Sequence, residues 1–145
     1  MIRPYSEDDL ADVLDAWYRA SLVAHSFLSD EFLARERQEM ADRWLPVAET
    51  TVYEHDGRVV GFISMIGNEV GGLFVDPDHQ SRGIGRALMD HARGSRPFLE
   101  LSVFEANETG RRFYDRYGFA TVGRVMNEEA GHPELRMRLG PRAAI

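Results

Sequence analysis

Gln80, Gly83 and Gly85 form the most informative chemical pattern in the sequence, because they closely follow a predicted strand. The apolar run at residues 72–75 is typical of a strand, an Asp-Pro pair ends it, and an amphipathic helix is predicted from Gly83 onwards. The N–H groups in the first turn of a helix have no partners inside the helix, and the helix dipole adds partial positive charge there. The pattern therefore predicts a backbone site for a phosphate group.

The spacing of the two glycines narrows the kind of phosphate site. It is shorter than the glycine spacing of a Rossmann turn or a Walker turn. A P-loop also needs Lys followed by Ser or Thr to hold the phosphates and magnesium, whereas Arg86 and Ala87 follow Gly85 in this sequence. A nucleotide kinase is accordingly disfavoured.

Composition limits the class of protein. With 145 residues, of which 43% are hydrophobic and 28% charged, the chain is expected to form one soluble domain over residues 1–145. No apolar run approaches the roughly 18 residues that span a bilayer, and the first residues lack a signal-peptide core, so a cytoplasmic location without membrane contact is expected. There is no cysteine for a disulfide or a thiolate nucleophile, and the five histidines have no metal-ligand spacing, so no metal is expected.

The net charge of −7 separates classes of partner. A protein that binds nucleic acid needs a basic face for the phosphate backbone, so nucleic acid is not an expected partner. An acidic protein suits a cationic or amine-bearing partner.

The elements that must position the glycine loop are predicted from hydrophobic periodicity and turn residues. The predicted strands are residues 1–5, 50–55, 58–66, 72–75, 97–104, 119–125 and 134–139. Four helices are predicted. The first follows an N-cap at Ser6, the second follows an N-cap at Ser29, and the other two cover residues 83–93 and 108–117. Asp56-Gly57 predicts a hairpin turn, residues 68–72 a second turn, and residues 141–145 a frayed tail. A mixed sheet with helices on both faces is expected.

Periodicity also predicts the inner side of two helices. The stripe of the second helix consists of Leu33, Arg37, Met40 and Trp44. The buried side of the helix after the glycine loop consists of Ala87, Leu88 and His91.

A second informative segment, residues 107–119, contains Asn107, Phe113-Tyr114 and Gly118-Phe119. With this segment and the glycine loop, the chain resembles the GNAT superfamily of acetyl-CoA-dependent N-acetyltransferases, in its small stand-alone bacterial form. The glycine loop is similar to the family's pyrophosphate loop, and residues 107–119 are similar to its second cofactor motif. The resemblance covers nearly the whole chain. It implies a single-domain α/β (mixed α+β) fold, with a mostly antiparallel, twisted mixed sheet of about seven strands and a splayed central strand pair.

The resemblance also implies how acetyl-CoA, the cosubstrate, binds. The backbone of Leu73, Phe74 and Val75 is expected to pair with the pantetheine arm like an added strand. A bulge in this strand is expected to open the slot and to aim an N–H group at the thioester carbonyl. The expected pyrophosphate residues are Ser81, Arg82, Gly83, Ile84, Gly85 and Arg86.

Two side chains of the second motif have implied roles. Asn107 matches the family's asparagine on the pantetheine, and its alternative role is that of a helix N-cap. Tyr114 matches the family's tyrosine near the CoA sulfur, where it is expected to protonate the leaving thiolate. The alternative is that Tyr114 only packs beside Phe113.

The sequence leaves open which group removes the proton from the attacking amine. Several relatives have Glu at the position of Ser102, and serine is a poor base. Glu100 lies two residues earlier on the same strand face and is the nearest carboxylate. His25, between the first two helices, is the other candidate because its unperturbed pKa suits proton relay, or else it caps a helix end. The lesser candidates are Glu69, Glu105 and His79.

The expected function is N-acetyl transfer from acetyl-CoA to a primary amine by direct attack in a ternary complex. The acceptor is left open among a small amine, an amino acid derivative, and the lysine or N-terminus of a peptide or protein, and the enzyme is expected to be a monomer or a homodimer. The alternative is a non-catalytic acyl-CoA-binding regulatory module, for which a degraded tyrosine would be the hallmark, yet Tyr114 is present. Acetylation of aminoacyl-tRNA is disfavoured by the acidic charge.

Overall fold

A computed structural model describes residues 1–94 and 96–140, which form one seven-stranded sheet with four α-helices. The strands are β1 (Ile2–Pro4), β2 (Glu49–His55), β3 (Arg58–Ile66), β4 (Glu69–Val75), β5 (Leu99–Phe104), β6 (Ala120–Asn127) and β7 (His132–Leu139). The helices are α1 (Leu10–Ala24), α2 (Asp30–Glu39), α3 (Ile84–Arg93) and α4 (Glu108–Tyr117), and a π-helical segment (Met40–Trp44) continues α2. The tail predicted at residues 141–145 lies outside the described residues.

The strand order is β1-β2-β3-β4-β5-β7-β6, and only the β4–β5 pair is parallel. The helices cover both faces: α3 and α4 pack on one face, and α1 and α2 pack on the other. The predicted fold class, a mostly antiparallel mixed sheet of about seven strands between helices, is confirmed. No helix in the described ranges is both long enough and apolar enough to cross a bilayer.

Alternation along the strands assigns side chains to the two cores. On β5, Leu99, Leu101 and Val103 face α3 and α4, and Phe104 faces α1 and α2. The face that carries α2 is therefore reached by residues 100, 102 and 104 of β5, which places Glu100 and Ser102 on the side of the sheet where α2 lies.

The parallel pair β4–β5 is short, and the two strands part. They pair only at Glu69↔Glu100 and Val70↔Leu101. On its other side β4 pairs with β3, where consecutive β3 residues oppose Val70 and Gly72, so that Gly71 is an extra, bulged residue. A bulge bends its strand and increases the local twist, which carries the rest of β4 away from β5. The splayed central pair is confirmed, and we call the opening between the two strands the β4–β5 gap.

Three details of the sequence prediction are wrong. The second turn is only residues 67–68, and β4 begins at Glu69, because Gly67 takes the left-handed conformation (φ 60°) that a tight turn needs. The adjacent glycines 71 and 72, which suggested a longer turn, lie inside the strand. His91 is exposed, and the buried side of α3 consists of Ile84, Leu88, Met89 and Ala92. The third wrong detail is the inward position predicted for Arg37, which is exposed on α2.

Candidate active site

A cavity of about 410 Å³ opens at the β4–β5 gap, on the face of the sheet that carries α1 and α2. One wall comes from β4 and β5, and the opposite wall from α2 and its π-helical continuation. The end of the cavity beneath α1 and α4 is lined by Trp17, His25, Asn107 and Tyr114, and the other lining groups include Met40 and Trp44. The cavity therefore joins the gap to α2 and its π-helical continuation.

The edge of β4 directs backbone groups into the gap, and one of them, the Val75 carbonyl oxygen, is bonded by the Gln80 side chain. Gln80 Nε2 donates a hydrogen bond to the Val75 carbonyl oxygen at 2.9 Å, whereas Asp76 N donates to the Val60 oxygen on β3 at 2.7 Å. Because peptide groups alternate in direction along a strand, Leu73 and Val75 direct their backbone towards the gap and Phe74 directs its backbone towards β3. The edge can pair with an extended ligand.

The Phe74 side chain forms part of the cavity wall. Its ring stacks on Phe62 at 5.7 Å between centroids and meets the edge of Trp17 at 6.4 Å. Phe74 thus fixes the position of β4 against the core beneath α1.

The glycine loop is held in an unusual backbone conformation at the N-terminus of α3. Ser81 and Gly83 both have positive φ values, of 64° and 81°. Gly83 is the N-cap, and the first backbone bond into the helix is from Ala87 N to the Gly83 oxygen. The N–H groups of the first turn, from Ile84 to Arg86, therefore lack helical partners and point out of the helix start. The residues present fit a phosphate group.

The arginines of the loop have different surroundings. Arg82 is exposed, whereas the Arg86 guanidinium lies over the Tyr117 ring, 5.6 Å from its centroid. Next to Arg86, the backbone of Gly85 runs close to α4, where a Cβ would stand 3.5 Å from the Phe113 ring. The loop and α4 thus support each other beside the gap.

Tyr114 brings α4 to the cavity, at the end beneath α1. Its ring makes edge contacts with Phe113 and Phe119, at 5.5 and 5.6 Å between centroids. Within residues 1–94 and 96–140, the hydroxyl makes no hydrogen bond. Burial raises the pKa of Tyr114 to about 12, so the phenol is protonated at neutral pH.

Asn107 and His25 join α4 to the end of α1. Asn107 caps α4, because its Oδ1 accepts a hydrogen bond from Gly110 N at 2.9 Å. The other end of the amide, Nδ2, lies 3.3 Å from His25 Nε2. Since Nδ2 is a donor only, Nε2 must accept, which makes His25 neutral with its proton on Nδ1.

The His25 ring lies among aromatic rings, and these surroundings favour the neutral form. Its edge contacts are with Phe27, Phe74 and Phe104, at 5.9, 6.3 and 5.3 Å between centroids. Burial lowers the pKa of His25 to about 4. Its backbone N–H bonds to the Ser21 oxygen and ends α1. The residue acts as a helix cap and a wall of the cavity, and its Nε2 lone pair is engaged.

We expect the His25 imidazole to stay neutral through neutral and mildly acidic pH, with its midpoint near 4 and the Nδ1–H tautomer present. Because this pKa lies below the unfolded value of about 6.5, the contribution of His25 to stability is complete above pH 6.5 and is lost as the pH falls towards 4. Nitrogen-detected NMR of the imidazole across pH measures both features. A midpoint near 6.5 or an Nε2–H tautomer would contradict this arrangement.

The carboxylates named from the sequence lie in ion pairs. Glu100 receives Arg136 at 3.1 Å and Arg138 at 2.7 Å. Glu69 accepts two bonds from Arg136, at 2.7 and 2.9 Å, and the same guanidinium donates to Ser102 Oγ at 3.0 Å. A carboxylate in such a pair has its lone pairs engaged, and a proton could be taken only by weakening the pair.

Of the three lesser candidates, Glu69 lines the cavity, whereas Glu105 and His79 do not. Arg124 bonds to Glu105 at 2.8 Å and holds the pKa of that carboxyl below its usual value. His79 packs against His55, on the far side of β4 from the cavity.

Comparison with known proteins assigns the chain to a family. A family model described as an acetyltransferase (GNAT) domain matches residues 46–121, just over half of the chain. The chain belongs to the GNAT family of acetyltransferases. The match spans β2 to the start of β6, and thus includes the gap, the glycine loop and α4.

Full-length relatives of this GNAT acetyltransferase are known. The peptidyl-lysine N-acetyltransferase YiaC of Escherichia coli is 31% identical over 92% of each chain. The peptidyl-lysine N-acetyltransferase YjaB of the same species is 34% identical over 91% of this chain and 90% of its own. The alternative of a non-catalytic acyl-CoA-binding module is therefore set aside, and the chain is an acetyltransferase.

Solved structures share the fold of this GNAT acetyltransferase. The solution structure of apo-form YjaB matches with a TM-score of 0.84 and 30% identity, over 97% of this chain and 98% of that chain. PaiA N-acetyltransferase from Thermoplasma acidophilum, solved in complex with coenzyme A, matches with a TM-score of 0.77 and 19% identity, over 97% and 98%. The second match concerns the fold alone.

The cavity of this GNAT acetyltransferase contains an acidic residue that the sequence reasoning missed, Glu36 on α2. The stripe predicted for this helix placed Arg37 inside, and this is wrong, because Arg37 is exposed. Phe32 is buried beside Leu33, which turns the centre of the inner face towards Glu36. The signal available in the sequence was the apolar residue Phe32, which shifts the predicted inner face of the helix towards Glu36 when it is counted in the stripe.

Proposed function

We propose that this acetyltransferase transfers the acetyl group of acetyl-CoA to the side-chain amine of a peptidyl lysine, by direct attack in a ternary complex. The observation that carries the acceptor is the similarity, over about nine-tenths of both chains, to YiaC and YjaB, which are peptidyl-lysine N-acetyltransferases. The absence of cysteine argues against a thiol acyl-enzyme and in favour of direct attack.

The β4–β5 gap and the glycine loop support the donor half of the proposal. The edge of β4 at Leu73 and Val75 would pair with the pantetheine arm, and the loop from Ser81 to Arg86 would hold the pyrophosphate. A backbone N–H of the parted strand would stabilise the charge that develops on the thioester oxygen. The roles of these residues remain predictions that the binding experiments below test.

Tyr114 would act on the leaving group. A phenol that keeps its proton in a buried site can donate that proton to the departing sulfur. Asn107 and His25, joined by their hydrogen bond, would act as positioning residues, since they fix the start of α4 and thereby the Tyr114 ring. Glu100 stays the candidate base that the sequence favours, although its two arginines count against it.

The acceptor side of the cavity suits a lysine side chain. Leu33, Met40 and Trp44 present apolar surface to the tetramethylene chain, and Glu36 and Glu134 add negative charge for the ammonium. At the outer end, Trp44 and Ile66 are each 42% exposed, which offers apolar surface to the flanking residues of a peptide.

The experiment that tests the proposal compares acceptors with acetyl-CoA as donor. We expect peptides with an internal lysine to be acetylated on Nε, as located by mass spectrometry, and acetyl-CoA near 1 mM to raise the melting temperature. N-terminally blocked peptides with and without lysine separate the two peptide amines. Faster turnover of polyamines or free amino acids than of every lysine peptide would overturn the proposed acceptor.

A further inference from the structure

Glu36 is a carboxylate inside the cavity with no partner. It projects from α2 into the cavity lining, between Leu33 one turn before it and Met40 one turn after it. In the part of the chain that the structure describes, no hydrogen bond or ion pair reaches its carboxyl group. Partly burying a charge without a counter-ion costs free energy, so an unpaired carboxylate in this cavity suits a cation.

The other carboxylates of the cavity are already engaged. Glu69 is bound by Arg136, with its two oxygens at 2.7 and 2.9 Å from the guanidinium. Glu134 accepts a hydrogen bond from Asn127 Nδ2 at 2.8 Å. Among the cavity carboxylates of the described residues, only Glu36 has both carboxylate oxygens available to bind a ligand.

We propose that Glu36 binds the ammonium group of the acceptor amine in the cavity and takes the first proton from it. The inference rests on the proposed function, because it assumes that an alkyl ammonium enters from the side of α2 and its π-helical continuation. It assigns the base to α2, away from the strand β5 on which the sequence placed Glu100.

The protons balance over the reaction. The ammonium gives one proton to the Glu36 carboxylate and becomes a neutral amine, whose nitrogen forms a bond to the thioester carbon. As the C–S bond breaks, Tyr114 gives its proton to the sulfur, and the second proton lost by the nitrogen passes to the Tyr114 phenolate and restores the phenol. Glu36 then releases its proton to solvent, so each turnover yields the amide, the free thiol and one proton.

The surroundings of Glu36 suit proton uptake. Burial raises its pKa above the ordinary value of a glutamate, and the charges of Glu129, Glu39 and Glu134 act in the same direction. The charge of Arg35 acts in the opposite direction. A carboxylate with a raised pKa is a stronger base, and its ionisation would set the acidic limb of the pH profile of kcat/KM.

The test compares the isosteric variant Glu36→Gln with wild type on two peptides. One peptide carries lysine, and the other carries an aminooxy side chain in its place, which is uncharged at neutral pH and needs no deprotonation. We expect kcat/KM for the lysine peptide to fall about 100-fold, and that for the aminooxy peptide to change by less than about threefold. The acidic limb of the lysine pH profile should disappear in the variant.

The matched control is Glu31→Gln, an exposed residue of the same helix outside the cavity. It removes the same charge from α2, and we expect both peptides to be acetylated as by wild type. The thermal unfolding of Glu36→Gln gives a second readout. Because the raised pKa means that the ionised carboxylate disfavours the folded state, the variant should melt at a higher temperature than wild type at pH 8, with the difference vanishing near pH 4.

The outcomes distinguish failure of Glu36 as the base from failure of the proposed acceptor. If wild type acetylates the lysine peptide and Glu36→Gln does so equally well, or loses activity equally on both peptides, Glu36 is not the base and the proposed function stands. If wild type acetylates a different amine and no lysine peptide, the proposed acceptor fails. The Glu36→Gln comparison is then made on that amine against its uncharged analogue, with the same two readings.

Discussion

Tyr114→Phe is expected to lower the turnover number about 100-fold, while the Kd for acetyl-CoA stays within about twofold of wild type. The substitution removes only the hydroxyl, which makes no hydrogen bond inside the described protein, so the packing of the ring against Phe113 and Phe119 is retained. The lost rate would reflect a leaving thiolate that no longer receives a proton. Steady-state kinetics and calorimetric titration with acetyl-CoA measure the two quantities.

Tyr117→Phe is the matched control for this result. Tyr117 lies on the same helix, and its pKa is also raised to about 12, with burial as the largest cause. Its hydroxyl donates to Asp90 at 2.5 Å and does not line the cavity. We expect this variant to lose some stability and to keep its turnover number. An equal loss of turnover and of acetyl-CoA binding in Tyr114→Phe would assign Tyr114 a structural role.

Gly83→Val is expected to raise the Kd for acetyl-CoA by about tenfold or more, the equivalent of losing one charge-assisted hydrogen bond. Gly83 has φ 81°, a conformation that costs an L residue about 1–2 kcal/mol. Apart from the adjoining backbone, no atom lies within 4 Å of the position of a Cβ at this site, so the substitution acts through the backbone and not through a clash. Relaxation of φ would turn the N–H groups of the loop away from the pyrophosphate.

Gly67→Val separates loop geometry from general strain. Gly67 also has a left-handed conformation, with φ 60°, and also has open space at its Cβ position. It lies in the turn between β3 and β4, at the opposite end of β4 from the glycine loop. Both variants should lose similar stability in urea, and only Gly83→Val should lose affinity for acetyl-CoA. If both bind equally well, the loop does not hold the pyrophosphate.

The parts of the site that could be predicted from the sequence are those that depend on residue types within a few positions of each other. Gly83 indicates a residue in the left-handed conformation at the start of a helix, because few other residues adopt that conformation. Asn107 indicates the N-cap of α4, because its side chain can accept a hydrogen bond from the first turn. The bounds of β4 could not be predicted, because the glycine pair at 71 and 72 has the composition of a turn and the conformation of a bulge.

The electrostatics of the site depend on contacts between distant residues. Arg136 reaches Glu69 across 67 positions of sequence, and this pairing engages a carboxylate that the sequence presents as free. Glu36 was missed for the opposite reason: charged residues on a helix are normally assigned to the solvent side, and the neighbour that turns it inward, Phe32, falls at the margin of the stripe. Only the assembled sheet shows which charge lacks a counter-ion.

The parting of β4 and β5 has a further consequence for the free enzyme. Among the described residues the sheet consists of two half-sheets, β1 to β4 and β5 to β7, whose strands pair with each other at two residue pairs. A pantetheine arm lying along Leu73 and Val75 would act as the missing neighbour, so part of its binding energy would go into joining the two halves. Donor binding and completion of the sheet would then be one event, and the cavity wall would gain its final rigidity only with the donor in place.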